Sequence, residues 1–127
     1  MSVAQIALID DSPPFCLLVK QIFDMHDIEI TTFPTSDEFF MYPSKISKFH
    51  LIMMDINLPG MDGLTAIRKL KQDITTKDVP VMLISGDSRK ETVVAGIKLG
   101  ACDFIMKPID PLHLEERILA MLQTNNT

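Results

Sequence analysis

Four stretches of this chain end an apolar run with a side chain able to do ionic chemistry. Asp10-Asp11 follow Ile6-Ala7-Leu8-Ile9, Asp55 follows Leu51-Ile52-Met53-Met54, Ser85 follows Val81-Met82-Leu83-Ile84, and Lys107 follows Phe104-Ile105-Met106. If the runs are strands of one parallel sheet, their C-terminal ends share the edge where open α/β sheets bind ligands. Two carboxylates about 4 Å apart repel by roughly 4 kcal/mol at an effective dielectric near 20. Three converging aspartates therefore shift their pKa values upward or recruit a cation. Oxygen donors without thiolate or an imidazole pair favour a hard ion. Mg²⁺ is the one expected, with Mn²⁺ able to stand in. Lysine adds a compact point charge for a phosphoryl oxygen, and serine adds a hydroxyl donor. Such equipment suits phosphoryl transfer, in which a carboxylate can itself be the nucleophile. No GxxxxGK[ST] loop is present, so the phosphoryl donor is expected to be something other than ATP.

Those groups converge only if the intervening sequence folds as alternating strands and helices. The five runs, with Ile28 to Phe33 as the second, are separated by segments of helical period. Four runs are nearly unbroken in apolar character, as strands buried on both faces should be, whereas Ile28-Glu29-Ile30-Thr31 alternates like an edge strand. Ser12-Pro13 opens a helix with Phe15, Leu18, Val19 and Ile22 on one face. Thr35-Ser36-Asp37-Glu38 reads as a capping box for a short helix that Pro43 ends. Leu64, Ile67 and Leu70 space a third helix after Asp62-Gly63, with Gly60 and Gly63 read as turn formers. Ser88-Arg89-Lys90-Glu91 is a second capping box, for a fourth helix that Gly100 closes. Asp110-Pro111 opens a fifth, with Leu114, Ile118, Met121 and Leu122 inward. The pattern predicts a doubly wound α/β fold with a five-stranded parallel sheet, compatible with strand order 2-1-3-4-5.

Composition sets the outer bounds. The 127 residues are 46% apolar, enough for one core that buries about two-thirds of the unfolded surface. A single domain over 1–127 is expected, with its core over about 4–122. The net charge of −5 disfavours a nucleic-acid surface, and no apolar run nears the roughly 18 residues of a membrane span. The first residues lack a secretory signal pattern, so a cytoplasmic location is expected. Cys16 and Cys102 read as small fillers, and His26, His50 and His113 as surface or packing residues.

In order along the chain, Asp10-Asp11, Met54-Asp55-Ile56-Asn57-Leu58-Pro59-Gly60-Met61-Asp62-Gly63, Ser85-Gly86 and Lys107-Pro108 closely resemble the receiver domain of two-component response regulators. The resemblance covers the chain from Ile6 to about Leu122. It implies that Asp55 is the phosphoacceptor, charged by a phosphohistidine on a sensor histidine kinase or histidine phosphotransfer protein. It implies Mg²⁺ ligation by Asp11, Asp55 and the Asn57 backbone carbonyl, with Asp10 reaching the metal through water. Lys107 and Ser85 would contact the phosphoryl group, beside a Gly86 whose missing side chain leaves room for it. Phe104 stands at an aromatic switch position, the Lys107-Pro108 bond is expected cis, and Asn57 and Asp87 hold positions that influence phosphate lifetime. The implied function is a phosphorylation-activated switch. Its face of fourth helix, fifth strand and fifth helix would regulate a downstream protein or an output domain, with no turnover of an external substrate. Two other readings stay open: a phosphorylation-independent interaction module, and a phosphohydrolase using Asp55. The second lacks the DxD arrangement of aspartate-nucleophile phosphatases.

Overall fold

A computed structural model describes residues 3–87 and 89–125. Its elements are β1 (Ala4–Ile9), α1 (Pro13–Ile22), β2 (Ile28–Phe33), α2 (Ser36–Phe39), α3 (Pro43–Ile46), β3 (Leu51–Asp55), α4 (Gly63–Gln72), β4 (Val81–Ser85), α5 (Lys90–Lys98), β5 (Asp103–Met106) and α6 (Pro111–Asn125). The five strands form one parallel sheet in the order β2-β1-β3-β4-β5. The strand order is the one the pattern allowed, and the alternating Ile28–Phe33 run is an edge strand.

Period-two alternation within each apolar run divides the core into two layers. Ala7, Ile9, Ile52, Met54, Val81 and Leu83 point to the face covered by α2, α3, α4 and α5. Ile6, Leu8, Leu51, Met53, Met82 and Ile84 point to the other face, where Val19 and Phe23 cover them from the α1 side and Leu114, Ile118 and Leu122 from α6. β3 and β4 are buried along their whole length because helices lie on both sides. A long apolar side chain buried this way contributes about 1.5–3 kcal/mol. These central strands are therefore the stiff frame on which the polar strand ends are mounted.

The caps mostly follow the sequence. Ser12 Oγ accepts from the Phe15 N–H at 3.4 Å, Thr35 Oγ1 from the Glu38 N–H at 3.1 Å, and Asp62 Oδ1 from the Thr65 N–H at 2.8 Å. Two expectations need correction. Pro43 does not end the helix that Thr35 opens; α2 stops after one turn, and Pro43 begins a second one-turn helix, α3. Its fixed φ and missing N–H suit a first helical position, and Tyr42 before it is held outside the helical region, at φ −124° and ψ 66°. The fold thus has six helices among the described residues, and the expected fourth and fifth are α5 and α6. The second correction concerns α5. Its N-cap is Arg89, which makes no side-chain cap, while Ser88 of the expected capping box lies outside the described residues.

Gly63 is more than a turn former. It is the first residue of α4, and a Cβ there would stand 2.4 Å from the Asp55 carbonyl oxygen and 2.7 Å from Ile56 Cα. The helix starts in direct contact with the backbone that carries Asp55. Gly60 does turn the chain, at φ +74°. Gly63→Ala is expected to lower stability by about 1–3 kcal/mol, since backbone on two sides cannot yield. Gly86→Ala, whose Cβ meets nothing within 4 Å, should stay within about 0.5 kcal/mol of the parent. Paired thermal or urea melts check both.

Candidate functional site

Sheet register brings the polar strand ends together. Ile9 of β1 pairs with Met54 of β3, so Asp10 stands level with Asp55. Asp55 pairs with Ile84, and Ser85 with Met106, which sets Lys107 just past the end of β4. The Lys107 N–H donates to the Ser85 carbonyl at 2.8 Å, locking the chain after β5 against that end.

At this edge one carboxylate oxygen each from Asp10, Asp11 and Asp55 lies within 4.8 Å of the others. Asp10 and Asp55 are 2% and 5% exposed, whereas Asp11 is exposed. Lys107 Nζ donates to Asp10 Oδ2 at 2.7 Å and to Asp55 Oδ2 at 3.1 Å. The remaining oxygens take backbone donors: Asp10 Oδ1 accepts from the Ser12 N–H at 2.8 Å, and Asp55 Oδ1 from the Asn57 N–H at 3.1 Å. Each buried carboxylate is therefore held between one peptide N–H and one shared ammonium.

The charges are unequal in cost. Burial pushes the Asp10 carboxyl above its ordinary range, and the nearby Asp55 charge adds to this; the hydrogen bonds from Lys107 and Ser12 only partly offset the rise. Burial pulls the Lys107 ammonium down, but hydrogen bonds and charge from Asp10 and Asp55 outweigh it and hold the group above its ordinary value. The lysine stays charged, and its one ammonium faces a cluster of three carboxyl groups. Hard oxygen donors, one of them exposed, in a cluster with excess negative charge fit a divalent cation.

Ser85 is fully buried, and its Oγ accepts from the Asp87 N–H at 2.9 Å and from Asn57 Nδ2 at 3.3 Å. With both lone pairs engaged, its O–H is the function left to donate. Gly86 is exposed beside it. Asp87 reaches Ser85 through its backbone, while its carboxylate is taken by α5: it accepts from Arg89 N–H and Nε at 3.0 Å, Arg89 Nη2 at 2.8 Å and Thr92 Oγ1 at 3.0 Å. Arg89 and then its backbone N–H hold this carboxyl well below the usual carboxylate range. Phe104 is half-buried on β5 and packs on the α5 side, its ring 3.7 Å from where a Gly96 Cβ would stand. The Lys107–Pro108 peptide is cis.

Two participants escaped the reading of the sequence. Lys107 Nζ sits 4.3 Å from the centroid of the Phe15 ring, which apolar spacing on α1 marks only as core. The Asn57 side-chain amide bridges to Ser85 in addition to the backbone role expected of that residue.

The chain belongs to the response regulator receiver domain family, which matches residues 6–119. Receiver domains are signalling switches of two-component systems, activated by phosphorylation, and not turnover enzymes on external substrates. The chain is 29% identical over 119 residues to YclJ, an uncharacterized transcriptional regulatory protein of Bacillus subtilis, covering 94% of this chain and 51% of that protein. It is 42% identical over 71 residues to the response regulator PleD of Caulobacter vibrioides, covering 56% of this chain and 16% of PleD. The chain thus spans about half or less of the length of these curated relatives. A CheY-like receiver domain protein from Methanospirillum hungatei superposes with a TM-score of 0.86 at 28% identity, with 98% of each chain covered. Among the described residues no helix is long and apolar enough to cross a membrane.

Two outcomes follow from the geometry. In metal-free buffer Asp10→Asn should raise the melting temperature. A carboxyl whose folded pKa lies above its unfolded value imposes no penalty below the unfolded value, one that grows as pH rises from the unfolded toward the folded value, and its full penalty above both. The gain should therefore be largest near pH 7.5 and shrink toward pH 4, as read by melts in EDTA. A double-mutant cycle of Phe15→Leu with Lys107→Met should return a coupling of about 0.5–1 kcal/mol from urea unfolding.

Proposed function

We propose that this chain accepts a phosphoryl group on Asp55 from a phosphohistidine of a sensor kinase or phosphotransfer protein, and signals through the face formed by α5, β5 and α6. The observation that carries the reading is the shared ammonium: Lys107 Nζ bridges the buried Asp10 and Asp55 carboxylates, with an Asp11 oxygen in the same cluster.

Asp11, Asp55 and the Asn57 carbonyl would hold Mg²⁺ or Mn²⁺, with Asp10 as the further acidic partner. Bound there, the ion supplies positive charge toward the phosphoryl oxygens. The Asp55 carboxylate attacks phosphorus, the P–O bond forms as the P–N bond breaks, and the electron pair leaves with the imidazole. Asp55 Oδ1 is oriented by the Asn57 N–H, and Lys107 stands at Oδ2, ready to pair with the added charge. Gly86 presents no side chain to an incoming donor.

Phosphorylation adds acceptor oxygens beside a buried hydroxyl whose O–H is available. If Ser85 turns toward them, its Oγ leaves the Asn57 amide and the Asp87 N–H. Asp87 is also the residue whose carboxylate organises Arg89 and Thr92, so that displacement pulls on the first turn of α5. Val94, Ile97 and Met106 are exposed on α5 and β5 and offer apolar surface to a protein that prefers the shifted arrangement. Through the same linkage Asp87 and Asn57 bear on phosphate lifetime. A module never phosphorylated would have no use for the buried acidic cluster, which opposes folding.

Asp55→Asn should abolish the phosphoryl mass increment on incubation with acetyl phosphate and Mg²⁺, and EDTA should halt labelling of the parent. Mass spectrometry reads both. A variant that still gains the increment places the phosphate elsewhere, and undiminished labelling in EDTA removes the metal from the mechanism.

A further inference from the structure

A well-formed cavity lies away from the acidic cluster, between the β1–β2 side of the sheet and the crossover from β2 to β3. Its volume is about 460 Å³, within the range typical of small-molecule sites. The cause is visible in the fold. The other crossovers cover the sheet with helices of nine or more residues, whereas this one has two helices of four residues, α2 and α3, separated at Tyr42-Pro43. Two single turns cannot fill the space over two strands, and the interior beneath them stays open.

The walls have a consistent chemistry. Phe33, Phe39 and Phe49 line the cavity together with Ile46. Phe33 meets both Phe39 and Phe49 edge to face, at centroid distances of 5.2 and 6.3 Å and interplanar angles of 69° and 87°. Such an arrangement leaves ring faces and edges that a further aromatic ring can join. Among the described residues the only charged lining side chains are Lys45 and Lys48, both exposed, on a protein of net charge −5. An apolar aromatic interior with an exclusively cationic rim selects a flat hydrophobic ring bearing one anionic group. A volume of this size accommodates a fused bicyclic ring with its anionic group and falls in the range of small-molecule sites, which favours a small molecule over a peptide segment.

We propose that this cavity is a binding site for a small aromatic carboxylate, its ring among Phe33, Phe39 and Phe49 and its anion at Lys45 and Lys48. One contact from a lining residue, and one from Ser36 on the same short helix as Phe39, connect this region to the acidic edge. The Phe33 carbonyl accepts from the Asp10 N–H at 3.0 Å, and Ser36 Oγ donates to Met54 Sδ at 3.6 Å, one residue before Asp55. The site itself stands independently of the phosphoacceptor reading, because none of its lining residues belongs to that cluster.

The chain has no tryptophan, so a naphthalene probe can be followed by its own fluorescence. Titration of the whole chain with naphthoate should give saturable one-to-one binding. Neutral naphthylmethanol, and the double variant Lys45→Gln/Lys48→Gln with naphthoate, should each bind about tenfold more weakly, the scale of a lost charge-assisted contact. Thr31→Phe, which places a ring into the cavity, should abolish binding while circular dichroism stays that of the parent. No saturation, equal binding of the alcohol, or undiminished binding by the lysine variant would overturn the proposal. The lysine variant decides the matter even if Thr31→Phe does not fold, since both lysines are exposed.

Discussion

One ammonium has to reach two carboxylates from the far side of the sheet, and this constraint organises the whole C-terminal edge. β5 lies two strands from β3 and three from β1, or about 10 and 14 Å at ordinary strand spacing. Lysine is long enough to cover part of that span but not all of it. The chain after β5 must lean inward over the end of β4, and it does, with the Lys107 N–H fastened to the Ser85 carbonyl. That lean is why Ser85 is wholly buried. It also explains the value of a residue as small as serine at the end of β4, because a larger side chain would hold Lys107 away from Asp10 and Asp55. An Arg at position 107 would bring a planar fork where two separate carboxylate oxygens and the Phe15 ring surround one point charge.

From this centre two polar routes lead outward, and they differ in stiffness. Toward α1, Asp10 is bound by the Ser12 N–H, its carbonyl accepts from Cys16 Sγ, and Phe15 lies against Lys107. All of these sit on the first turn of a ten-residue helix docked on the core through Val19, so this side is a fixed wall. Toward α5, the route runs through Asn57, Ser85 and Asp87 to Arg89 and Thr92. These residues lie in loops or on the exposed start of a helix that lacks a side-chain cap of its own. This route connects Asp55 to the start of α5 through hydrogen bonds alone. Gly96 is part of the same design: a Cβ would stand 2.5 Å from Leu83 Cδ1 and close to the Phe104 ring, so α5 rides low over β4 and β5. A helix packed that closely cannot shift without Phe104 giving way.

The strands were legible because burial on both faces writes itself as unbroken apolar runs, and the edge position of Ile28–Phe33 because half-burial writes itself as alternation. The four polar groups were legible for the same reason, since each terminates a run. What could not be read depends on proximity created by the fold. Nothing local distinguishes Gly63, pressed against the Asp55 backbone, from Gly60, which turns at positive φ. Phe15 occupies an apolar helix position, and only the convergence of β5 on α1 gives its ring a cation. Asp87 has a local signal, an aspartate two residues before Arg89 and five before Thr92, but helix-start statistics gave precedence to the Ser88 box. Cys102 is exposed where a filler was expected, and the histidines are engaged: His26 with Glu115, His50 Nδ1 with the Gln5 N–H, and His113 with Arg117.

Pro43 marks the deepest divide between pattern and structure, because its consequence is a property of the surface and not of one helix. A proline can terminate one helix or begin the next, and local sequence allows both. Beginning the next divides the cover over β1 and β2 into two single turns, and neither can bury a strand's width alone. Aromatic residues supply the missing bulk by tilting against one another, as Phe33, Phe39, Phe40 and Phe49 do in this quarter of the molecule. The rings meet edge to face, and the cavity lies among them where the two single turns leave the sheet uncovered. The sheet thus has a fully buried centre, β3–β4 with continuous helices around it, and a half-buried edge at β2. Asp10 is joined to that quarter through the Phe33 carbonyl while its side chain is joined to Lys107. The acidic centre is therefore joined on one side to the start of α5 and on the other to the divided crossover, with the buried central strands between them.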